Sequence, residues 1–297
     1  MIAPDRFLLY IDILGFSEMT RKEPRKVARL YSILDSLNAH KHDSFKTIVF
    51  SDTILAYNHA IAENDEHRRY LVWYLTEFAE DLHRRLTGQD VYFRAILTSG
   101  DFSHYRLKNI ECFYGGALIA AYLAEKNIPS LGLFMDKSCI PYNRFFRLAP
   151  YDATLSFVYL NRAIENFSHS LGNDPALPIP AAGLDMWSFA PELPWDVRFM
   201  KDIYRNMRSH SNPQVRTKFL TAWDFYEQLY PRLLARLVAT DFNVDSVSTE
   251  PGHWNEVTEQ MERQIRHHKR IGSGTELSQQ ITAGSKSRKT RRSSPRP

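Results

Sequence analysis

Cysteine is scarce: Cys112 and Cys139 are the only two in 297 residues, which gives neither a disulfide framework nor a zinc-binding pattern. Long apolar runs are missing too, and none approaches the roughly 20 residues that a membrane span requires. No signal-peptide pattern opens the chain, because Asp5 precedes the first apolar run and Asp12 interrupts it. No internal repeat is found. These absences point to a reducing, cytoplasmic setting with no membrane partner. What is present is apolar bulk. At 43% hydrophobic and 13% aromatic residues, the chain can bury a large core, as one large domain or two smaller ones.

Acid is missing from one stretch. Residues 284–297 hold Lys286, Arg288, Lys289, Arg291, Arg292 and Arg296 with no Asp or Glu. Removing those six charges from the formal +4 leaves −2 on the other 283 residues, so the body is slightly acidic. The Ser/Gly/Pro-rich end lacks apolar residues to offset its ordering entropy, and disorder is expected over 271–297. Such a tail can touch nucleic acid or anionic lipid. A solvated tail without a dedicated role is the simpler reading, and nucleic acid is not expected as a partner.

Residues 6–13 have the aromatic and β-branched character of a buried strand broken by one carboxylate. Gly15 permits a tight turn, and a helix is predicted over about 17–39, with Leu30, Ile33, Leu34 and Leu37 on one face. Residues 46–58 read as a hairpin turning at Ser51-Asp52. Asn64 or Asp65 caps a helix that Gly88 ends. A strand at 91–98, a turn at Ser99-Gly100-Asp101, a returning strand, a helix over 116–126 and a strand at 130–136 follow. This order predicts an α+β fold, an antiparallel sheet with packed helices, ending near Pro141. A mainly helical extension is expected over 142–270, beginning at 151–171 and passing a Pro-rich link at Pro175, Pro178 and Pro180. Asn212-Pro213 opens a helix that Pro231 kinks or ends.

Two aspartates stand in surroundings unsuited to surface carboxylates: Asp12 in Tyr-Ile-Asp-Ile-Leu-Gly-Phe and Asp52 in Val-Phe-Ser-Asp-Thr-Ile-Leu. A buried carboxylate needs protonation, hydrogen bonds, a cation or a metal. Either alone can be a strand-end aspartate capping a turn. If the first strand lies beside the hairpin, both meet at the sheet's end, and their repulsion favours a divalent ion. Magnesium or manganese suits hard oxygen ligands shared with substrate phosphates. The eleven histidines show no metal-ligand spacing and read as surface residues.

Asp12-Ile13-Leu14-Gly15-Phe16-Ser17 resembles the Asp-Ile-x-Gly-Phe-Ser/Thr motif that opens class III nucleotide cyclase domains. Phe50-Ser51-Asp52-Thr53 falls where that family has its second metal aspartate, 40 residues on. Phe93-Arg94-Ala95-Ile96 with Ser99-Gly100 is similar to the family's Arg-x-Gly-Ile…x-Gly segment, and Tyr114-Gly115-Gly116-Ala117-Leu118 to its Trp-Gly-x-x-Val segment. The resemblance covers about 6–140 in the right order and implies a ferredoxin-like core, with the catalytic domain over 1–141. Departures accompany it. Ile119 and Leu123 stand where adenylyl and guanylyl members have a ribose-orienting asparagine and a transition-state arginine, and Ile48 stands at the base-reading lysine of adenylyl members. The combined motifs are most similar to the Pycsar pyrimidine cyclases of bacterial anti-phage defence.

That resemblance implies a homodimer with shared sites and two divalent ions, Mn²⁺ or Mg²⁺, held by Asp12, Asp52 and the Ile13 carbonyl. Conversion of UTP to cyclic UMP and pyrophosphate, with the messenger activating a separate effector, is the implied activity; CTP as substrate, or a degenerate domain that only binds nucleotide, are the alternatives. A GGDEF-type diguanylate cyclase is disfavoured, since Phe50-Ser51-Asp52-Thr53 does not match that hairpin motif. Backbone N–H groups around Gly15, Phe16 and Ser17 can cradle phosphate. Lys46 and the Ile48 position are candidates for the base pocket. Arg94, Lys126 and Lys46 are candidates for the missing cation, with pairing to a core carboxylate as the other reading of Arg94.

Overall fold

The computed structural model describes residues 5–37, 42–171, 176–180, 190–250 and 252–270. Strand β1 (Asp5–Ile13) leads through Gly15, whose φ of 73° turns the chain, into helices α1 (Phe16–Lys22) and α2 (Pro24–Asp35). The single helix expected over 17–39 is thus two. Pro24 has no N–H to continue the first ladder and instead occupies the first turn of the second helix. Strands β2 (Phe45–Phe50) and β3 (Thr53–Asn58) form the expected hairpin around Ser51-Asp52. Helix α3 (Asp65–Leu86) follows, with the Asn64 side chain accepting from the His67 N–H as its cap.

β4 (Phe93–Asp101) pairs with the whole length of β1, from Ile13↔Phe93 to Asp5↔Asp101. Ser99-Gly100-Asp101 is therefore strand and not the expected turn: the ladder to β1 outweighs the turn preference of Gly100. The chain reverses later, between β5 (Ser103–Arg106) and β6 (Glu111–Tyr114), which form a separate two-stranded ribbon. Gly115, at φ 154°, then starts α4 (Gly116–Lys126); a Cβ there would overlap the Asp101 carbonyl oxygen, so the approach requires glycine. α4 is the crossover to β7 (Gly132–Asp136), which runs parallel to β4.

The sheet does not stop near Pro141. β8 (Leu148–Pro150) and β9 (Leu155–Val158) extend it to seven strands in the order β2-β3-β1-β4-β7-β9-β8, antiparallel except for β4–β7. Helix begins only at α5 (Arg162–Leu171), because the aromatic and β-branched Leu-Ser-Phe-Val run pairs with β7. Next come α6 (Leu193–Ser209), α7 (Pro213–Leu229, capped by Asn212), α8 (Pro231–Ala239) and α9 (Asn255–Arg270). Pro231 ends α7 and opens α8. Pro175 and the expected tail, 271–297, lie outside the described residues. No described helix is long and apolar enough to cross a membrane.

Alternation along the central strands sorts the core into two layers. Phe7, Leu9, Ile11 and Ile13 face α1, α2 and α3, whereas Leu8 and Tyr10 face α4 and the C-terminal helices. The second layer continues unbroken from the sheet into α6, α7 and α8, so the helical extension packs directly on the strands. Phe225 of α7 stacks on Phe157 of β9 at 4.2 Å. A buried network ties the same helices down. Asp196 accepts from the Asn161 side chain and the Ile164 N–H, each at 3.0 Å, and the Tyr226 hydroxyl donates to Asn161 at 2.5 Å.

The seam between α3, α5 and α6 carries titratable groups. Burial pushes the Glu80 carboxyl up to about 8, partly offset by Arg162 and reinforced by Glu192. Burial raises Asp196 to about 7 against the hydrogen bonds it accepts, and lowers His83 to about 4. His83 Nε2 is buried with no partner, so it is not the surface histidine expected from sequence. A carboxyl whose folded pKa is raised keeps its stability below the unfolded value and loses it as pH climbs toward the folded one. His83 acts oppositely, losing stability as pH falls from 6.5 toward about 4. The two effects oppose each other in mild acid, leaving the carboxyls alone above pH 6.5. The thermal midpoint is expected to fall between pH 6.5 and 8, and Glu80→Gln to flatten that fall. A midpoint equally pH-dependent in the variant would contradict this assignment.

Candidate active site

Asp12 is the penultimate residue of β1, opposite Thr53 of β3 on one side and Arg94 of β4 on the other. Alternation places it on the same face as Leu8 and Tyr10. Asp52 sits in the hairpin turn, whose carbonyl accepts from the Ile13 N–H at 3.0 Å. Ser51 takes a left-handed φ of 57°, which tight hairpins of the primed type demand and a non-glycine residue resists. Tyr31 of α2 holds the turn by donating its hydroxyl to the Ser51 carbonyl at 3.0 Å. The two expected aspartates therefore meet at one end of the sheet. Burial pushes the Asp12 carboxyl up, Arg94 draws it down, Asp52 raises it again, and Lys218 lowers it.

Arg94 is pinned. Its guanidinium pairs with Glu125 of α4, donates to the Ile128 carbonyl, and reaches Asp12 at 3.8 Å. Pairing with a core carboxylate, one of its two expected roles, is what the structure shows, although its Nε is left without a hydrogen-bond partner. Burial lowers the Arg94 pKa and Asp12 offsets this.

Beside the aspartates lies an apolar cavity of about 320 Å³, lined by Tyr10, Ile48, Phe50, Thr53, Leu55, Phe113, Leu118, Ile119 and Tyr122. Its polar groups are hydroxyls. Burial raises the pKa of the Tyr10 phenol, a hydrogen bond with Thr53 lowers it, and the charges of Asp12 and Asp52 raise it again, so Tyr10 joins the cavity to the aspartates.

The other sequence candidates divide. Ile48 lines the cavity. Lys46 lies toward the other end of β2 from Asp52, opposite Tyr57 and, by alternation, on the same strand face as Ile48. Lys126, exposed at the end of α4, places its ammonium 3.9 Å from the centre of the Tyr122 ring, at the cavity's rim. Phe16 is buried and Ser17 exposed in the first turn of α1, a helix of seven residues.

Tyr10, Thr53, Glu125 and Lys218 were not singled out from the sequence. Glu125 carried a signal: Ala117, Ala121 and Glu125 share one buried face at four-residue spacing, and a carboxylate there demands a partner. Lys218 carried none, since only the packing of α7 on the sheet brings it near Asp12.

Among the described residues no cluster of three or more His, Cys, Asp or Glu side chains could hold a metal. Two carboxylates at a sheet end nevertheless fit a hard divalent ion that takes its remaining ligands from backbone, water and phosphate. The charge of Asp52 adds to the burial that raises the Asp12 carboxyl, and a cation there would relieve both.

No protein-family model matches the chain, and no curated protein does. Among solved structures it is similar to nucleotide cyclase domains. The guanylyl cyclase domain of the RhoGC fusion protein from the fungus Blastocladiella emersonii has 17% identity and a TM-score of 0.44, covering 54% of this chain and 96% of that one. The guanylate cyclase domain of RhGC from Catenaria anguillulae, in complex with GTP, has 16% identity and a TM-score of 0.44, covering 54% and 98%. The adenylyl cyclase CyaB of P. aeruginosa has 10% identity and a TM-score of 0.39, covering 52% and 93%. With such low values, assignment falls to the residues themselves.

Proposed function

We propose that the chain is a nucleotide cyclase that converts UTP to 3′,5′-cyclic UMP and pyrophosphate. The convergence of Asp12 and Asp52 beside an apolar cavity carries the reading. Asp12, Asp52 and the Ile13 carbonyl would hold two divalent ions, Mn²⁺ or Mg²⁺. When bound, such ions acidify the ribose 3′-hydroxyl and neutralise phosphate charge. The 3′ oxygen bonds to the α-phosphorus as the bond to pyrophosphate breaks. The N–H groups of Phe16 and Ser17, after Gly15, take phosphate oxygens, and the charges fixed around Asp12 act without reorganisation.

A cavity lined by apolar groups and hydroxyls, with Ile48 on its wall, offers no charged group to read a purine. A single hydroxyl there could distinguish the O4 of a uracil from the N4 of a cytosine. CTP is the alternative substrate. The cavity opens onto exposed apolar side chains, Phe50 at 73%, Ile119 at 61% and Leu123 at 54% exposure, which a second copy of the chain would cover in a homodimer. Cyclic UMP would then act on a separate effector, as the motif resemblance implies for anti-phage signalling.

The pinning of Arg94 by Glu125 favours one other reading, a domain that binds nucleotide without turning it over. Purified protein with Mn²⁺ and UTP, CTP, ATP or GTP, read by product mass, separates the two. Cyclic UMP with pyrophosphate is expected. Nucleotide binding without pyrophosphate from any of the four would establish the regulatory reading instead, and a purine product would overturn the base assignment.

A further inference from the structure

A triphosphate in this cleft brings several negative charges to a place where two carboxylates already repel, so a mobile cation is needed besides any metal. Arg94 cannot move to meet phosphate while Glu125, the Ile128 carbonyl and Asp12 surround it. Lys126 is turned onto the Tyr122 ring at the cavity rim. We propose that Lys218 of α7, in the C-terminal helices, supplies the cation that grips the triphosphate across from Asp12. This rests on the cyclase reading and adds to it a residue from outside the sheet's own strands and crossover helix.

The position follows from how α7 lies on the sheet. Phe225 stacks on Phe157 of β9, fixing the helix over that strand. At its other end Phe219 packs edge-on against Tyr92, with ring centres 4.8 Å apart. Tyr92 immediately precedes β4, and its carbonyl accepts from the Leu14 N–H at 2.9 Å, directly beyond the end of β1. Lys218 and Phe225 are seven residues apart on α7, about 10 Å along a helix. Two strand spacings of about 4.8 Å each carry the helix from β9 to β4. Lys218 therefore stands over the end of β4 and β1, where Arg94 and Asp12 sit. Its charge registers on both: burial and Arg94 lower the Lys218 pKa, and Asp12 raises it.

Lys218 is half-buried, and among the described residues it makes no hydrogen bond or ion pair. Its four-carbon stem leaves the ammonium free to swing, which the ring of contacts denies to Arg94. Gly132, opposite Arg94 on β7, lets the Phe157 ring under Phe225 lie close against the strand: a Cβ there would meet that ring at 2.9 Å. The helical extension thus completes the site from its own chain.

The test uses the full chain with Lys218→Met, which keeps the apolar stem, and Lys218→Arg, which keeps the charge. Binding of 3′-deoxy-UTP, which cannot cyclise, is measured by calorimetry in EDTA, and kcat and KM for UTP with Mn²⁺. Lys218→Met is expected to weaken metal-free binding of 3′-deoxy-UTP about tenfold and to lower kcat about a hundredfold. It should affect 3′-deoxy-UMP much less, and Lys218→Arg should restore most of each loss. Should the Met variant not fold, Lys218→Gln carries the same comparison. Wild-type affinity and kcat within twofold in Lys218→Met would overturn the proposal. So would tighter Mn²⁺ binding with undiminished nucleotide affinity, since Lys218 would then be only a counter-ion for Asp12. Failure of the wild type to bind 3′-deoxy-UTP in EDTA would overturn this proposal alone, whereas failure to bind it with Mn²⁺ present would bring down the cyclase reading as well.

Discussion

On the proposed cyclase function, Asp12→Asn and Asp52→Asn are each expected to lower turnover at least about a thousandfold, because each would remove a charged ligand from the point where phosphate charge is held. Neither should weaken the fold. The Asp12 carboxyl is penalised by burial and by repulsion from Asp52, and an amide of the same shape feels neither. Its thermal midpoint should stay level or rise, the pattern of a site that trades stability for chemistry. Pyrophosphate release with manganese reads the activity, and calorimetric melting reads the fold. Turnover within tenfold of wild type in either variant would show that the carboxylates do not hold the reacting phosphates. A collapse of the melting temperature would show that they are structural.

Those two residues stood out because each is a carboxylate among apolar neighbours, Asp12 inside a strand and Asp52 at a hairpin turn, at positions that the pairing of β1 with β3 brings to one edge. The hairpin around Ser51-Asp52 and the cap at Asn64 were legible for a similar reason, since turn and cap chemistry act over a few residues. What could not be read was decided by distant partners. Gly100 favours a turn, but nine residues of ladder to β1 hold it in a strand. Leu155 to Val158 became a strand because β7 offered an edge, and this carries the sheet past the expected boundary near Pro141. The hairpin register sets Lys46 opposite Tyr57, at the end of β2 away from Asp52. Lys218 comes near Asp12 because aromatic contacts at both ends of α7 fix that helix across the strands.

The other large effect is expected at Glu125, and it concerns stability first. Glu125 and Arg94 are both nearly inaccessible to water and form an ion pair. Removing Glu125 leaves Arg94 in a poorly solvated site with only Asp12, 3.8 Å away, as a counter-charge, at a cost of up to about 3–5 kcal/mol. Glu125→Ala should therefore destabilise the fold by that order in urea denaturation, while Ile119→Ala on the exposed face of α4 should change it by less than about 0.5 kcal/mol. The double variant Arg94→Met with Glu125→Leu removes both charges and refills the space, so it should recover most of the loss. Its activity then decides what Arg94 is for. If the double variant is stable yet turns over UTP at least about tenfold more slowly, Arg94 acts on the cleft through Asp12, 3.8 Å away. If stability and turnover both return, Arg94 and Glu125 only brace α4 against β4. A Glu125→Ala protein as stable as wild type would contradict the buried pair itself.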